Sequence, residues 1–267
     1  MRVCCWNVRR ASHKAGAWRL LEELSPDLAL LQEVSAIPSS ISSNYNVVMH
    51  RAAGKLPGTL QRFSTAILVR GTIGAPIPLS SRWEWVNQEL DYFRGNLVAY
   101  HVTVRDRAYR VLSAYSPAWP VDALRLGGID VAPVKLKLNP KVWVTELLWA
   151  ALLDACSPHE APWIIGGDLN SSETFDYMWG PKPRGNREIL DRMQELGFRE
   201  CLREVHGRLI PTFRNPKGGR VVHQMDHLFV TESLAAQLLS CKTTEQERVF
   251  GESLSDHLPI VADFTDV

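Results

Sequence analysis

Apolar and polar positions alternate in two different periods along the 267-residue chain. Short runs that are apolar almost throughout, such as LALLQEV at 28–34 and APWII at 161–165, predict strands buried on both faces. Further strands are expected over 2–8, 45–50, 64–70, 95–104, 110–115, 221–230 and 258–264. Between them lie stretches with helical spacing. The segment 14–24 sets Ala17, Trp18, Leu21 and Leu24 on one face and stops at Ser25-Pro26. The segment 141–156 does the same with Val144, Leu147, Leu148, Ala151 and Leu152. A third helix, 186–196, is closed by Gly197, a residue suited to a left-handed C-terminal cap. Segments 117–140, 171–187 and 211–220 read as long surface loops, which often carry function.

Strands outnumber helices, and several follow one another directly. That pattern predicts a layered α/β protein with mixed sheets rather than a Rossmann fold. No repeat, low-complexity tract or linker divides the chain, so one domain over 1–267 is expected. A 45% hydrophobic and 22% charged composition fits an ordinary globular protein. A net charge of +1 excludes a generally polycationic protein, so attraction to phosphate must come from local patches. The cysteines, Cys4, Cys5, Cys156, Cys201 and Cys241, are odd in number and form no CxxC pair. Reduced, buried thiols are expected, not a disulfide framework or a zinc site. The sequence starts without a signal-like apolar region, and no run approaches the ~20 apolar residues of a membrane span. A soluble, intracellular protein is expected.

The candidate chemistry lies where apolar strands give way to polar residues. Asn7 ends the first strand and Glu33 the second; Asp168 and Asn170 follow the strand at Ile165. Asp226 interrupts VVHQMDHLFV, and Asp256 and His257 stand just before the last strand. Each alone has an ordinary reading: GDLN is a turn composition, Glu33 a loop charge, Asp226 a strand-edge charge, Asp256 a cap, His257 a structural histidine. Together they are a set of carboxylates, amides and one imidazole that would need partners if buried. A hard divalent cation such as Mg²⁺ suits oxygen donors of this kind.

Six motifs in order carry a resemblance: WNV at 6–8, LLQEV at 30–34, SAYSP at 113–117, GGDLN at 166–170, MDHLFV at 225–230 and SDHLPI at 255–260. In that order the chain resembles the endonuclease/exonuclease/phosphatase superfamily of metal-dependent phosphodiesterases, which includes the deoxyribonuclease I-like and exonuclease III-like enzymes. The resemblance implies two packed mixed sheets flanked by helices, a four-layer α/β sandwich, with the active site at the sheet edge. It implies Glu33 as the principal Mg²⁺ ligand, with Asn7 and Asp256 nearby, and Mn²⁺ as an alternative ion. It implies that Asp168 orients or deprotonates the attacking water and that Asn170 holds water or phosphate. His257 would contact the scissile phosphate, backed by Asp226, and Tyr115 would reach the phosphate or the leaving oxygen.

Tyr115, in Tyr-Ser-Pro, is similar to the exonuclease III and abasic-site branch or to retrotransposon endonucleases. Arg9, in WNVR, is closer to pancreatic deoxyribonuclease. Arg9, with Arg214 and Arg220 of the basic segment RNPKGGR, is a candidate phosphate contact. Trp119, Phe175, Tyr177, Trp179 and Phe213 are aromatics that could stack on bases or simply cover the core. The expected activity is Mg²⁺-dependent hydrolysis of nucleic acid, DNA rather than RNA. The alternatives are a phosphatase of phosphoinositide or another small phosphoester, and a non-catalytic nucleic-acid-binding module.

Overall fold

The computed structural model describes residues 1–155, 161–178 and 184–265. The first strands are β1 (Arg2–Ala11), β2 (Leu28–Val34), β3 (Asn46–Ala53), β4 (Leu60–Val69), β5 (Thr72–Pro76), β6 (Leu97–Val104) and β7 (Arg107–Tyr115). There follow β8 (Trp163–Asp168), β9 (Phe198–Glu200), β10 (Phe213–Arg214), β11 (Val221–His223), β12 (Asp226–Thr231), β13 (Leu238–Thr243) and β14 (Ile260–Phe264). They form one six-stranded sheet in the order β13-β14-β1-β2-β4-β3 and another in the order β5-β6-β7-β8-β12-β9. β10 and β11 make a separate two-stranded ribbon.

Each sheet is apolar on both faces, and each face has its own cover. Val3, Cys5, Leu28, Leu30 and Ile67 of the first sheet meet Val98, Val111, Ile164 and Leu228 of the second. The outer face of the second sheet packs under the helices Glu84–Tyr92, Val144–Ala155 and Asn186–Glu195. The outer face of the first packs under the helix Ala17–Leu24 and a π-helical turn at Glu247–Gly251. The result is the expected four-layer α/β sandwich. Adjacent Cys4 and Cys5 enter opposite layers, as strand alternation requires. Cys4, Cys5, Cys201 and Cys241 are free and buried, and Cys156 lies outside the described residues. Among the described residues no helix is long and apolar enough to cross a membrane.

Several boundaries differ from the pattern reading. The first helix begins at Ala17, not 14, and the third ends at Glu195. The expected strand over 221–230 divides into β11, which pairs with β10, and β12, which joins the second sheet. Gln224 sits between them and turns its amide onto Ile210 and His227 instead of continuing the ladder. The expected loop over 211–220 contains β10. β5, β9, β13 and the helix Glu84–Tyr92 were not foreseen, because their sequences are short or largely polar.

GGDLN is also more than a turn, since β8 runs on through both glycines to Asp168. A Cβ at Gly167 would stand 1.9 Å from the backbone oxygen of Ala114 in β7. A Cβ at Gly166 would meet Leu30 and Cys5 of the facing sheet at 2.8–3.1 Å. The glycines therefore let β8 approach its neighbours closely while delivering Asp168 to the sheet edge. Gly167→Ala should lower stability by about 1–3 kcal/mol or more, the cost of overpacking a tight interior. Thermal unfolding measures this, and an unchanged or raised Tm would show that the close approach is not required.

Candidate active site

Strand direction explains why residues far apart in sequence meet. β1 runs on to Ala11 instead of ending at Asn7, but Asn7 is the last residue before its register with parallel β2 shifts, so Asn7 and Glu33 emerge at the same sheet edge. β7 and β8 are parallel, with Tyr115 directly beside Asp168. β12 is antiparallel to β8, so its first residue, Asp226, lies opposite Asp168. β14 is antiparallel to β1, so Asp256 and His257, which precede it, arrive at that edge too. Parallel strands contribute their ends and antiparallel strands their beginnings.

The two sheets are tied together at this edge. The Asn7 amide donates to Asp168 Oδ2 at 2.9 Å, and the Gln32 amide donates to Ser113 Oγ at 3.0 Å. Asp168 is buried and also accepts from the Asn170 backbone N–H on Oδ1 at 2.9 Å. Asn170 adopts a left-handed conformation (φ 47°) and anchors its amide on the Ser116 carbonyl. His257 Nδ1 donates to Asp226 Oδ2 at 2.8 Å, and its Nε2 faces Asp168 Oδ2 across 3.8 Å, too far for a hydrogen bond. Burial disfavours the charged ring, but Asp226 and then Asp168 outweigh it and push His257 up to about 10. Burial raises Asp168 above its ordinary range, Asp226 adds to this, and His257 and Asn7 oppose it.

Other side chains hold this pair in place. Thr212 donates its hydroxyl to the same Asp226 oxygen at 2.7 Å, while its own oxygen accepts from the N–H groups of Met225 and Asp226. Ser255 donates to the Asn7 carbonyl and accepts from the His257 N–H. The Trp6 indole donates to the His257 carbonyl, and the Phe213 ring lies against the imidazole at 4.8 Å. Of these supports Trp6 and Ser255 lie in the motifs WNV and SDHLPI, and neither motif marks them for this role.

Glu33 occupies a second zone. It has φ 56°, at an irregularity where the register of β2 against β4 shifts. Arg9 and Arg10 of β1 are also left-handed, at φ 46° and 58°. Such bulges beside a site re-aim side chains that regular alternation would send elsewhere. Arg10 lies 3.7 Å from Glu33 Oε2, and Arg9 lies 3.6 Å from Asp256 Oδ2. Burial raises the Glu33 carboxyl; His257, Asn7 and Arg10 pull it back, and the like charge of Asp256 raises it again. Tyr115 is buried edge-on to Phe63, and burial, then Glu33 and Asp168, keep its hydroxyl protonated well above the ordinary range.

The basic candidates separate. Arg9 reaches the acids. Arg214 supports the site through its backbone, whose N–H donates to the Asp256 carbonyl, while its guanidinium covers the Phe250 ring at 4.6 Å. Arg220 is exposed at the ribbon turn, its carbonyl accepting from Asn215. Trp179 lies outside the described residues.

The profile of the Endonuclease/Exonuclease/phosphatase family matches residues 4–257. The chain belongs to that family. Membership indicates a hydrolase acting on phosphoester bonds. Solved structures share the fold of this family member at low identity. An AP endonuclease from Archaeoglobus fulgidus is 20% identical with a TM-score of 0.71, covering 100% of both chains. A 3′ phosphatase (NExo) from Neisseria, bound to a product DNA hairpin, is 19% identical with a TM-score of 0.70, again covering 100% of both. An AP endonuclease from Leishmania major is 17% identical with a TM-score of 0.65, covering 100% of this chain and 88% of the other. No curated protein matches the chain.

Enzymes of the family are typically divalent-metal dependent, and the donors fall into two groups when tested for that role. Asp168, Asp226 and His257 bring potential ligand atoms within 4.8 Å of one another. In this trio His257 Nδ1 is committed to Asp226 Oδ2, which also accepts from Thr212, while Asp226 Oδ1 is buried without a hydrogen-bond partner. Glu33 and Asp256 are hard carboxylate donors, the like charge of Asp256 raising the Glu33 carboxyl, and they fit a divalent cation, with Asn7 beside them and its Oδ1 accepting from the Arg9 N–H.

Replacing Asp226 by Asn should release the imidazole proton. The His257 ring, followed by NMR, should then titrate well below about 10. A ring that still held its proton near 10 in the variant would assign the stabilisation elsewhere.

Proposed function

We propose that this family member is a Mg²⁺-dependent nuclease that hydrolyses phosphodiester bonds of DNA. The observation that carries this reading is the facing pair at the sheet edge. A protonated His257 Nε2 and the Asp168 carboxylate stand 3.8 Å apart, each fixed from behind by buried partners.

His257 donates from Nε2 to a non-bridging phosphate oxygen, and Asp226 keeps the ring oriented and charged. Asp168, held by Asn7 and Asn170, takes a proton from the attacking water as the new P–O bond forms. The opposite P–O ester bond breaks, and the leaving oxygen is within the reach assigned to Tyr115, which remains a proton donor. Asn170 holds the water or the phosphate beside Asp168, and Arg9 offers a cation to the substrate backbone. A Mg²⁺ ion held by Glu33, with Asp256 and Asn7, supplies positive charge against the phosphate, and Mn²⁺ can take its place. The choice of DNA is supported by the names of the fold neighbours, AP endonucleases and a phosphatase bound to a DNA hairpin. Removal of a terminal phosphate is a second reading, favoured by the NExo likeness.

The test uses four end-labelled substrates: duplex DNA, duplex DNA with one abasic site, single-stranded DNA and single-stranded RNA. Cleavage of a DNA substrate should require Mg²⁺ and stop with EDTA. His257→Ala should lose at least about 10²-fold in rate, the lower range for removing one donor to a developing oxyanion. Folded wild-type protein that cuts none of the four but releases phosphate from a small phosphoester would replace the nuclease reading.

A further inference from the structure

Beside the site lies a cleft of about 660 Å³ that the hydrolytic groups do not use. One wall is the turn 54–59 and the other is the segment 116–142. The segment 116–142 follows Tyr115 directly, and the turn, which follows Ala53, is joined to Tyr115 through Asn96. The Asn96 side chain accepts from the Ala53 N–H and donates to the Tyr115 carbonyl, at 2.8 and 2.9 Å. Tyr92 pins the turn through its hydroxyl on the Gly54 carbonyl, and Val121 N–H closes the neck of the opposite wall on the Val142 carbonyl.

Trp119 lines this cleft and is half-buried, yet it packs against none of the hydrophobic cores. By contrast, Trp83 and Trp149 are also half-buried but both join the core of the second sheet. Lys55 and Lys141, on opposite walls, are exposed and have no ion-pair partner among the described residues. Arg125 is committed to Glu89 and to the Tyr92 ring, and Lys135 to the carbonyls of Leu136 and Asn139. One acid, Asp122, lines the cleft and caps its own turn at Leu124. An apolar floor, an uncommitted indole and two uncommitted cations form a stacking platform with phosphate contacts.

We infer that this cleft takes an unpaired nucleobase flanking the scissile phosphate, stacked on Trp119, with Lys55 and Lys141 on adjoining phosphates. The inference rests on the nuclease reading above and adds a substrate preference to it. Trp119 stands four positions after Tyr115, a reach of at most about 14 Å, so the stacked base is within a few nucleotides of the reacting phosphate. A paired base inside a duplex cannot offer its face to the indole, so strands with an unpaired nucleotide there are the better substrates.

The test compares wild type, Trp119→Ala, Trp119→Phe and the double variant Lys55→Ala/Lys141→Ala on a single-stranded oligonucleotide, on the blunt duplex of the same sequence, and on p-nitrophenyl thymidine 5′-phosphate. Trp119→Ala should raise KM for the single strand by about tenfold, the scale of one base–aromatic stack, with kcat little changed. Trp119→Phe should restore most of that loss, and the blunt duplex and the small ester should be indifferent to either change. In the double variant the salt dependence of log KM should weaken by about 1.4, from ~0.7 for each single-strand phosphate contact. Equal KM values for wild type and Trp119→Ala on the single strand would overturn the cleft assignment and leave the nuclease reading standing. A wild type that turns over the small ester but no oligonucleotide would overturn both. Trp119 fluorescence, taken as wild type minus Trp119→Phe, should respond to the oligonucleotide. A response to phosphatidylserine vesicles instead would assign the cleft to lipid.

Discussion

The hydrogen bond from the Asn7 amide to Asp168 joins the two sheets at the point where their polar ends meet. It is buried, so its loss would remove the shorter of the two hydrogen bonds to Asp168 Oδ2 and leave the carboxylate held only by Asn170, a cost of about 1–3 kcal/mol. The same bond fixes the distance between β1, which carries the Glu33 side of the site through its parallel partner, and β8, which faces Asp226. Every later feature of the site assumes that spacing. The glycines of β8 permit it sterically, and the Gln32–Ser113 contact repeats it one strand along.

Around that bond the edge divides into two kinds of chemistry. Asp168, Asp226 and His257 form a buried network in which Asp226 Oδ1 has no hydrogen-bond partner and His257 Nε2 faces Asp168 beyond hydrogen-bond distance. Glu33 and Asp256 sit closer to the surface, held by strained backbone and balanced by arginines. Left-handed conformations at Arg9, Arg10 and Glu33 each cost of order 1–3 kcal/mol, and the surrounding core must enforce them. Their clustering at one edge, where carboxylates gather, fits a site kept open for a cation and a phosphate.

Much of this was legible in the sequence. Continuous apolar runs gave the central strands, and β2 has the boundaries its hydrophobicity indicates. Asn7, Glu33, Asp168, Asp226, Asp256 and His257 could be found because each breaks an apolar run at a strand end. What brought them together, the pairing of parallel ends with antiparallel beginnings, is a property of topology and not of any local pattern. Thr212 and Ser255 were not legible as supports because hydroxyls at turns are common, and their partners lie far away in sequence. The bulges at residues 9–10 and 33 leave no mark in hydrophobic periodicity. Trp119 was visible as an aromatic, but its independence of the core is a packing fact. Short strands such as β5, β9 and β13, which carry no sustained apolar run, are formed by neighbours and not by their own propensity.

The central claim is this division of labour between a cation zone and a proton zone. Anomalous diffraction from crystals soaked in Mn²⁺ tests it directly. The account predicts a peak beside the Glu33 carboxylate, within coordinating distance of Asp256 or Asn7, and an imidazole of His257 free of metal. A peak bonded to His257 Nε2 and the carboxylates of Asp168 and Asp226, with nothing at Glu33, would contradict it.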